Sequence, residues 1–255
     1  MSGIARLLEI MTRLRDPENG CPWDVAQTPL TVAPYAIEEA YEVLDAIQKG
    51  DTDATEDELG DLLLQVVFQS QIAAESGDFT FDSVANRIAD KMIRRHPHVF
   101  AQGDAARHAD TWEAGKAAER QARAEHGTLA GIPQALPALM RARKLAARAA
   151  RVGFDWPDVT GVVAKVREET EEVEAEILSG DRTALRDEIG DLLFAVASLA
   201  RRLDIDPEEA LRGANAKFQR RFEAVEALLA RDGETVDGQD VDRLDALWQQ
   251  VKRGA

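Results

Sequence analysis

The chain has 255 residues and a formal net charge of −16, with 47 acidic side chains against 31 basic ones. So acidic a surface argues against nucleic acid or an anionic membrane as partner, because both need a basic face. A small phosphorylated ligand stays open, provided cations are recruited locally. Apolar residues make up 45%, enough for a packed core, and Ala, Leu, Glu and Arg dominate over β-branched and aromatic types, which favours helix throughout.

Cys21 is the only cysteine, so no internal disulfide can form and a cytoplasmic location is expected. It reads as a small residue in a turn rather than a nucleophile. No apolar run approaches the roughly 18 residues of a membrane span. The N-terminus, MSGIARLLEIMTRLRDPENG, has the pattern of an amphipathic helix and lacks a signal peptide's continuous apolar segment.

Taken in order, helices are expected near 3–15, 30–48, 54–76, 81–95 and 108–125. EHGTLAGIPQALP then supplies Gly and two prolines, a linker placed at 127–136. A helix follows at about 137–151 and is broken by VGFDWPD. The next, about 158–179, carries Val162, Val166, Val173 and Ile177 on one stripe. SGD ends it and caps a helix over about 182–203, with Leu185, Ile189, Leu192 and Val196 expected to face inward. Asp206 as N-cap and Pro207 at the first helical position start another, running to about 231. VDRLDALWQQVKR forms a last short helix. The fold class is all-α: two tandem four-helix-bundle-like modules, 1–126 and 137–255. Modules this small with wide apolar stripes are expected to complete their cores by pairing, as a homodimer.

The two modules repeat each other. EEAYEV at 38–43 returns as EETEEV at 168–173, and ELGDLL at 58–63 as EIGDLL at 188–193, both 130 positions later. Fainter matches pair DKMIRR at 90–95 with AKFQRR at 216–221, and TWEAGK at 111–116 with LWQQVK at 247–252. Their offsets are 126 and 136, so loop lengths differ while the order holds.

In the second module Glu169 and Glu172 are three apart on one helix, and Glu188 and Asp191 three apart on the next. Residues at that spacing share a face. The short SGD turn makes the two helices antiparallel neighbours and can bring the four carboxylates together. Left unneutralised, such a cluster raises its own pKa values, and a divalent cation removes the penalty. The competing explanation is a solvated acidic face, which accounts for most glutamate clusters on helices. The paired and repeated pattern favours the cation. Gly60 and Gly190 each sit between the two acids of a motif, where glycine costs about 1 kcal/mol relative to alanine. Close approach of a metal, a ligand or another helix would explain them.

All-carboxylate donors suit Mg²⁺ or Mn²⁺ rather than zinc or copper. Di-iron sites generally use Glu-x-x-His pairs, and the last histidine is His126. Magnesium held by carboxylates binds substrate phosphates, for which Lys165, Lys217 and Arg221 are the candidate cations. Surface charge in an i,i+4 ladder is the alternative for each. Trp248 either stacks on a base or is buried at the end of the bundle. With no Ser, Cys or His near the acids, an activated water is the expected nucleophile, at the α- or β-phosphorus. Glu168 or Glu169 is the candidate general base.

EEAYE…ELGD and EETEE…EIGD resemble the EExxE…ExxD signature of the MazG family of nucleoside triphosphate pyrophosphohydrolases. CPWD at 21–24, RRHPHVF at 94–100 and RVGFDW at 151–156 resemble its two-domain bacterial members. The resemblance covers almost the whole chain. It implies Mg²⁺-dependent hydrolysis of ribo- and deoxyribonucleoside triphosphates to the monophosphate and pyrophosphate, in an all-α dimer that cleans the nucleotide pool, with an effect on (p)ppGpp levels in some members. It also implies Glu169, Glu172, Glu188 and Asp191 as metal ligands, and Lys165, Glu168, Lys217, Arg221 and Trp248 around the nucleotide. The first module carries the matching acids Glu39, Glu42, Glu58 and Asp61, but Tyr35 stands where Lys165 is expected. The second module is thus expected to be the main active site and the first a weaker metal site. Two other readings are a base-restricted all-α dNTP pyrophosphatase of dUTP or dCTP type, and a non-catalytic metal-binding helical scaffold.

Overall fold

The computed structural model describes residues 2–100 and 127–254, and those residues contain eleven helices and no strand. The expected helix at 108–125 and the TWEAGK match lie outside them. By internal contacts the chain divides into two compact units, Met1–Ala117 and Ala118–Ala255.

In the first unit α1 (Gly3–Leu14) is capped by Ser2, and the short α2 (Pro22–Ala26) follows it. Cys21, half-buried, is the N-cap residue of α2. Helix α3 (Pro29–Lys49) opens with a reciprocal Thr28/Thr31 capping box, which satisfies two otherwise orphaned amides. It stops at Gly50, whose φ of 71° is the left-handed conformation that glycine adopts without strain. Asp51 then caps α4 (Thr52–Glu75) through its side chain. Helices α5 (Phe81–Arg95) and α6 (Pro97–Phe100) complete the described part. The core joins α1, α3 and α4 through Met11, Val32, Val67, Phe68 and Ile72.

Next to this core lies a buried cation. The Arg15 guanidinium makes two hydrogen bonds to the Glu75 carboxylate, at 2.8 and 2.6 Å, and a further one to the Asp24 carbonyl. It also sits 5.5 Å from the centre of the Phe68 ring. One side chain therefore ties the α2 segment to the end of α4.

The second unit repeats the hairpin. Residues 127–136 run in turns and bends, with Arg148 donating to the Thr128 and Ala130 carbonyls. Then come α7 (Ala138–Ala150), α8 (Val159–Ser179, N-cap Asp158) and α9 (Arg182–Arg202, N-cap Asp181). Gly180 between α8 and α9 is again left-handed, with φ 77°. Helices α10 (Pro207–Arg231, N-cap Asp206) and α11 (Val241–Gly254) pack on each other through Val225, Leu229 and Leu247. The Asp206 cap, the Pro207 start and the SGD turn stand as expected from the sequence. The VGFDWPD break is pinned by Asp155, which accepts a 2.6 Å hydrogen bond from Arg201 on α9. Gly161 is required there, because a Cβ would come within 2.7 Å of the Trp156 ring.

The inward stripe needs correction. Val162 is fully buried, but Ile177, Ile189 and Val196 are exposed. The α9 residues that go inward are Ala195, Ala197 and Ser198. Small side chains let helix backbones approach, so the larger aliphatic residues at neighbouring positions are left on the outer face.

The Arg15 pair sets a pH dependence. Hydrogen bonding from Arg15 holds the Glu75 carboxyl below its usual range, so its stabilisation is present above the unfolded pKa and is lost as pH falls through the folded value. Arg15→Ala should cost about 2 kcal/mol at neutral pH, since one partner stays half-exposed. The cost should shrink below about pH 4. Urea unfolding at neutral and acidic pH measures both.

Candidate metal and nucleotide site

The two helical hairpins place the acids by counting. Glu39 and Asp61 each lie eleven positions from Gly50 (50 − 39 and 61 − 50), and Glu42 and Glu58 each lie eight (50 − 42 and 58 − 50). Both helices rise about 1.5 Å per residue, so a tight turn at Gly50 sets Glu39 level with Asp61 and Glu42 level with Glu58. The same arithmetic about Gly180 sets Glu169 level with Asp191 and Glu172 level with Glu188.

The side chains follow this register. In the first unit Glu39, Glu58 and Asp61 each bring a carboxylate oxygen within 4.8 Å of the others, and in the second Glu169, Glu172 and Glu188 do the same. The fourth acid of each set stands at the edge. Glu42 acts on Glu58, and the Asp191 charge acts on Glu188, each raising its neighbour's carboxyl pKa. All eight predicted acids thus belong to two clusters, with Glu42 and Asp191 outside the tight trios.

Repulsion is visible in the protonation equilibria. Desolvation first, then neighbouring carboxylates, push up the Glu39, Glu58, Glu172 and Glu188 carboxyls. Lys165 opposes this in the second unit. Its ammonium lies 2.7 Å from both Glu168 and Glu169, and hydrogen bonding to them raises its own pKa. Glu169 is only 4% exposed, and while one of its oxygens takes the Lys165 bond, Oε2 is buried without a partner. A buried, unpartnered anionic oxygen is costly. A hard dication set among oxygen-only donors would satisfy it, so the residues present fit Mg²⁺ or Mn²⁺. Gly60 and Gly190 have no atom within 4 Å of where a Cβ would stand, so packing within the described chain does not explain them.

The other predicted nucleotide residues stand elsewhere in the second unit. Lys217 and Arg221 line a cavity of about 630 Å³ between α10 and α11, and Arg220 and Arg231 line it too. Among the described residues none of the four is paired with an acid. The sequence singles out neither Arg220 nor Arg231 as a phosphate partner, although the 217–220–221–224–228–231 spacing marks one face of a helix. Trp248 is half-buried, packed on the α10–α11 core with its ring 5.2 Å from that of Phe218. Phe218 in turn stacks on Phe222.

An all-α chain with two carboxylate clusters on repeated hairpins and a separate cationic cavity has the parts of a metal-assisted phosphate-handling protein. The sequence model of the MazG nucleotide pyrophosphohydrolase domain matches it at residues 27–100 and 158–226, and the chain belongs to this family. It is 52% identical, over 99% of its length and 98% of the relative's, to the nucleoside triphosphate pyrophosphohydrolase of Escherichia coli K12. It is 43% identical, over 97% and 95%, to the nucleoside triphosphate pyrophosphohydrolase/pyrophosphatase MazG of Thermotoga maritima. A Mycobacterium tuberculosis nucleoside triphosphate pyrophosphohydrolase is 34% identical, over 84% of this chain and 63% of that protein.

Two opposite effects are expected of Glu188→Gln. Removing one like charge should make the metal-free chain more stable, while its gain in stability on adding Mg²⁺ should shrink. An intact site gains about 2.7 kcal/mol at a hundred times its Kd. Calorimetric melting with EDTA and across a Mg²⁺ series measures both.

Proposed function

We propose that the chain is a Mg²⁺-dependent enzyme that hydrolyses nucleoside triphosphates to the monophosphate and pyrophosphate, and so clears the nucleotide pool. Within a family of pyrophosphohydrolases, the observation that carries the reading is Glu169: buried, held by Lys165, with one oxygen left unpartnered among Glu172 and Glu188. Glu169, Glu172, Glu188 and Asp191 would hold the ion. When bound, Mg²⁺ or Mn²⁺ neutralises the carboxylates, offsets charge on the phosphoryl oxygens and lowers the pKa of water.

The chain's own residues do the rest. Lys165 orients Glu169 and is the nearest cation for a phosphate oxygen. Glu168 is exposed at the rim and bonded only to Lys165, so it is the motif's carboxylate placed to take the proton from the attacking water. The oxygen of that water bonds to the α- or β-phosphorus, the bridge between the two phosphates breaks, and monophosphate and pyrophosphate separate. Lys217 and Arg221 supply positive charge to the polyphosphate from α10, and Arg220 and Arg231 add to the same cavity. Trp248 contributes a ring beside it, for the base. In the first unit, Glu39, Glu42, Glu58 and Asp61 form a weaker cation site with Tyr35 in place of the lysine. The modules divide at 127–136, as 1–126 and 137–255.

Assembly as a homodimer follows from Leu59, Leu63 and Val66 on α4 and Ile189, Leu193 and Val196 on α9, large apolar side chains left exposed in one chain. No helix among the described residues is long and apolar enough to cross a membrane. A cytoplasmic setting, with nucleotides rather than nucleic acid as partners, agrees with the acidic composition.

Pyrophosphate release from all eight common NTPs and dNTPs, with and without Mg²⁺, tests the reading. Release from none of them would leave the non-catalytic scaffold, and release from one base alone the base-restricted enzyme. Isotope-labelled water, traced into monophosphate or pyrophosphate, reports which phosphorus is attacked.

Glu172→Ala should lower turnover by about a hundredfold or more, while Glu42→Ala should stay close to the unaltered chain; equal losses would refute the asymmetry. Arg221→Ala should raise KM about tenfold with a smaller effect on kcat, as read from initial rates at saturating Mg²⁺.

A further inference from the structure

The two units solve one problem with different residues. In the second, the carboxylate of Glu169 is held by Lys165, one turn earlier on the same helix. In the first, the matching carboxylate of Glu39 accepts a 3.2 Å hydrogen bond from Nε2 of Gln65, on the facing helix α4. The exchange is reciprocal. The position matching Lys165 is Tyr35, whose ring meets Trp23 edge-on at 6.4 Å. The position matching Gln65 is Ala195, buried and without a polar group.

Gln65 stands within the apolar run LLLQVVF and is only 8% exposed. A buried amide in such a place is costly unless both ends are satisfied. Its Nε2 is satisfied by Glu39, and its Oε1 is buried without a partner. An amide oxygen is a hard donor of the kind that joins carboxylates around divalent cations. The trio of Glu39, Glu58 and Asp61 therefore has beside it a second, independent oxygen in want of a cation or an ordered donor.

We infer that Gln65 is the positioning residue of a cation-only site in the first unit, one that takes a hard divalent ion and no triphosphate. This rests on the reading of the first-unit acids as cation-binding. Gln65 fixes the Glu39 rotamer, as Lys165 fixes that of Glu169, but adds no positive charge. The carboxylates of Glu39, Glu58 and Asp61 face the ion with Gln65 alone beside them, and no ammonium stands at Glu39 for a phosphate. Lys165 in the second unit holds Glu169 and also serves the polyphosphate. One amide-for-ammonium exchange thus separates an ion-holding unit from a substrate-handling one.

Mn²⁺ titration of the full chain, with free Mn²⁺ followed by its electron paramagnetic resonance signal, tests this. Asp61→Asn should abolish one class of bound Mn²⁺. Gln65→Met, similar in volume but unable to donate, should weaken that same class about tenfold and have no further effect in the Asp61→Asn background. A non-hydrolysable nucleoside triphosphate should tighten only the other class. If Asp61→Asn changes nothing, the cation reading itself fails. If Asp61→Asn removes the class but Gln65→Met leaves its affinity intact, the role of Gln65 is overturned, as it is if the loss persists undiminished in the Asp61→Asn background. Tightening of the Asp61-dependent class by the triphosphate overturns the cation-only assignment. Should Gln65→Met not melt cooperatively by circular dichroism, Gln65→Asn, which keeps the amide but shortens its reach, takes its place; it should weaken the same class, and unchanged affinity overturns the inference.

Discussion

Like charges facing each other across a helical hairpin are the constraint on which the rest depends. Each unit spends the packing energy of its core to hold carboxylates together that would separate if free. Met11, Val32, Val67 and Phe68 provide that packing on the α1–α3–α4 side. Caps and turn residues make the arrangement specific: Gly50 and Gly180 stop one helix in the left-handed conformation, and Asp51 and Asp181 start the next. Desolvation, and after it the neighbouring carboxylates, raise the carboxyl pKa values of Glu39, Glu58, Glu172 and Glu188. A divalent cation among these oxygens would relieve the cost of holding them together.

Much of this was legible in the amino-acid pattern because it rests on local rules. Capping residues, the glycine–aspartate turn and three-residue spacing of acids act within one or two helical turns, so their consequences can be read along the chain. Which apolar face turns inward could not be read that way. Helix α9 carries aliphatic side chains around most of its circumference, and Ile189 and Val196 satisfy the same periodicity as residues that are buried. Close packing of Ala195, Ala197 and Ser198 decides the matter, and that depends on partners distant in sequence.

The site was legible to the same depth. The acids announce themselves by repetition, yet the trios single out Glu39, Glu58 and Asp61 in one unit and Glu169, Glu172 and Glu188 in the other, a distinction that rotamers make and spacing does not. Gln65 was hidden because a glutamine inside an apolar run looks like an interruption rather than a partner. Its meaning appears only once α3 lies against α4 and Glu39 comes within hydrogen-bonding distance. Arg220 and Arg231 were hidden for the opposite reason: single cations on a charged helix attract no notice until a cavity gathers them beside Lys217 and Arg221.

The hairpin register also explains why the duplicated halves have aged unevenly. One residue added between the facing motifs would turn every acid on the following helix by about 100° and slide it by about 1.5 Å, emptying the cluster. Insertions and deletions there are lethal to the site, whereas those beyond it only lengthen or trim a connection. Both acidic motifs accordingly keep the common displacement of 130 between halves, while the flanking matches have wandered to 126 and 136. The molecule's history of gain and loss has been confined to the stretches its turns leave unmeasured.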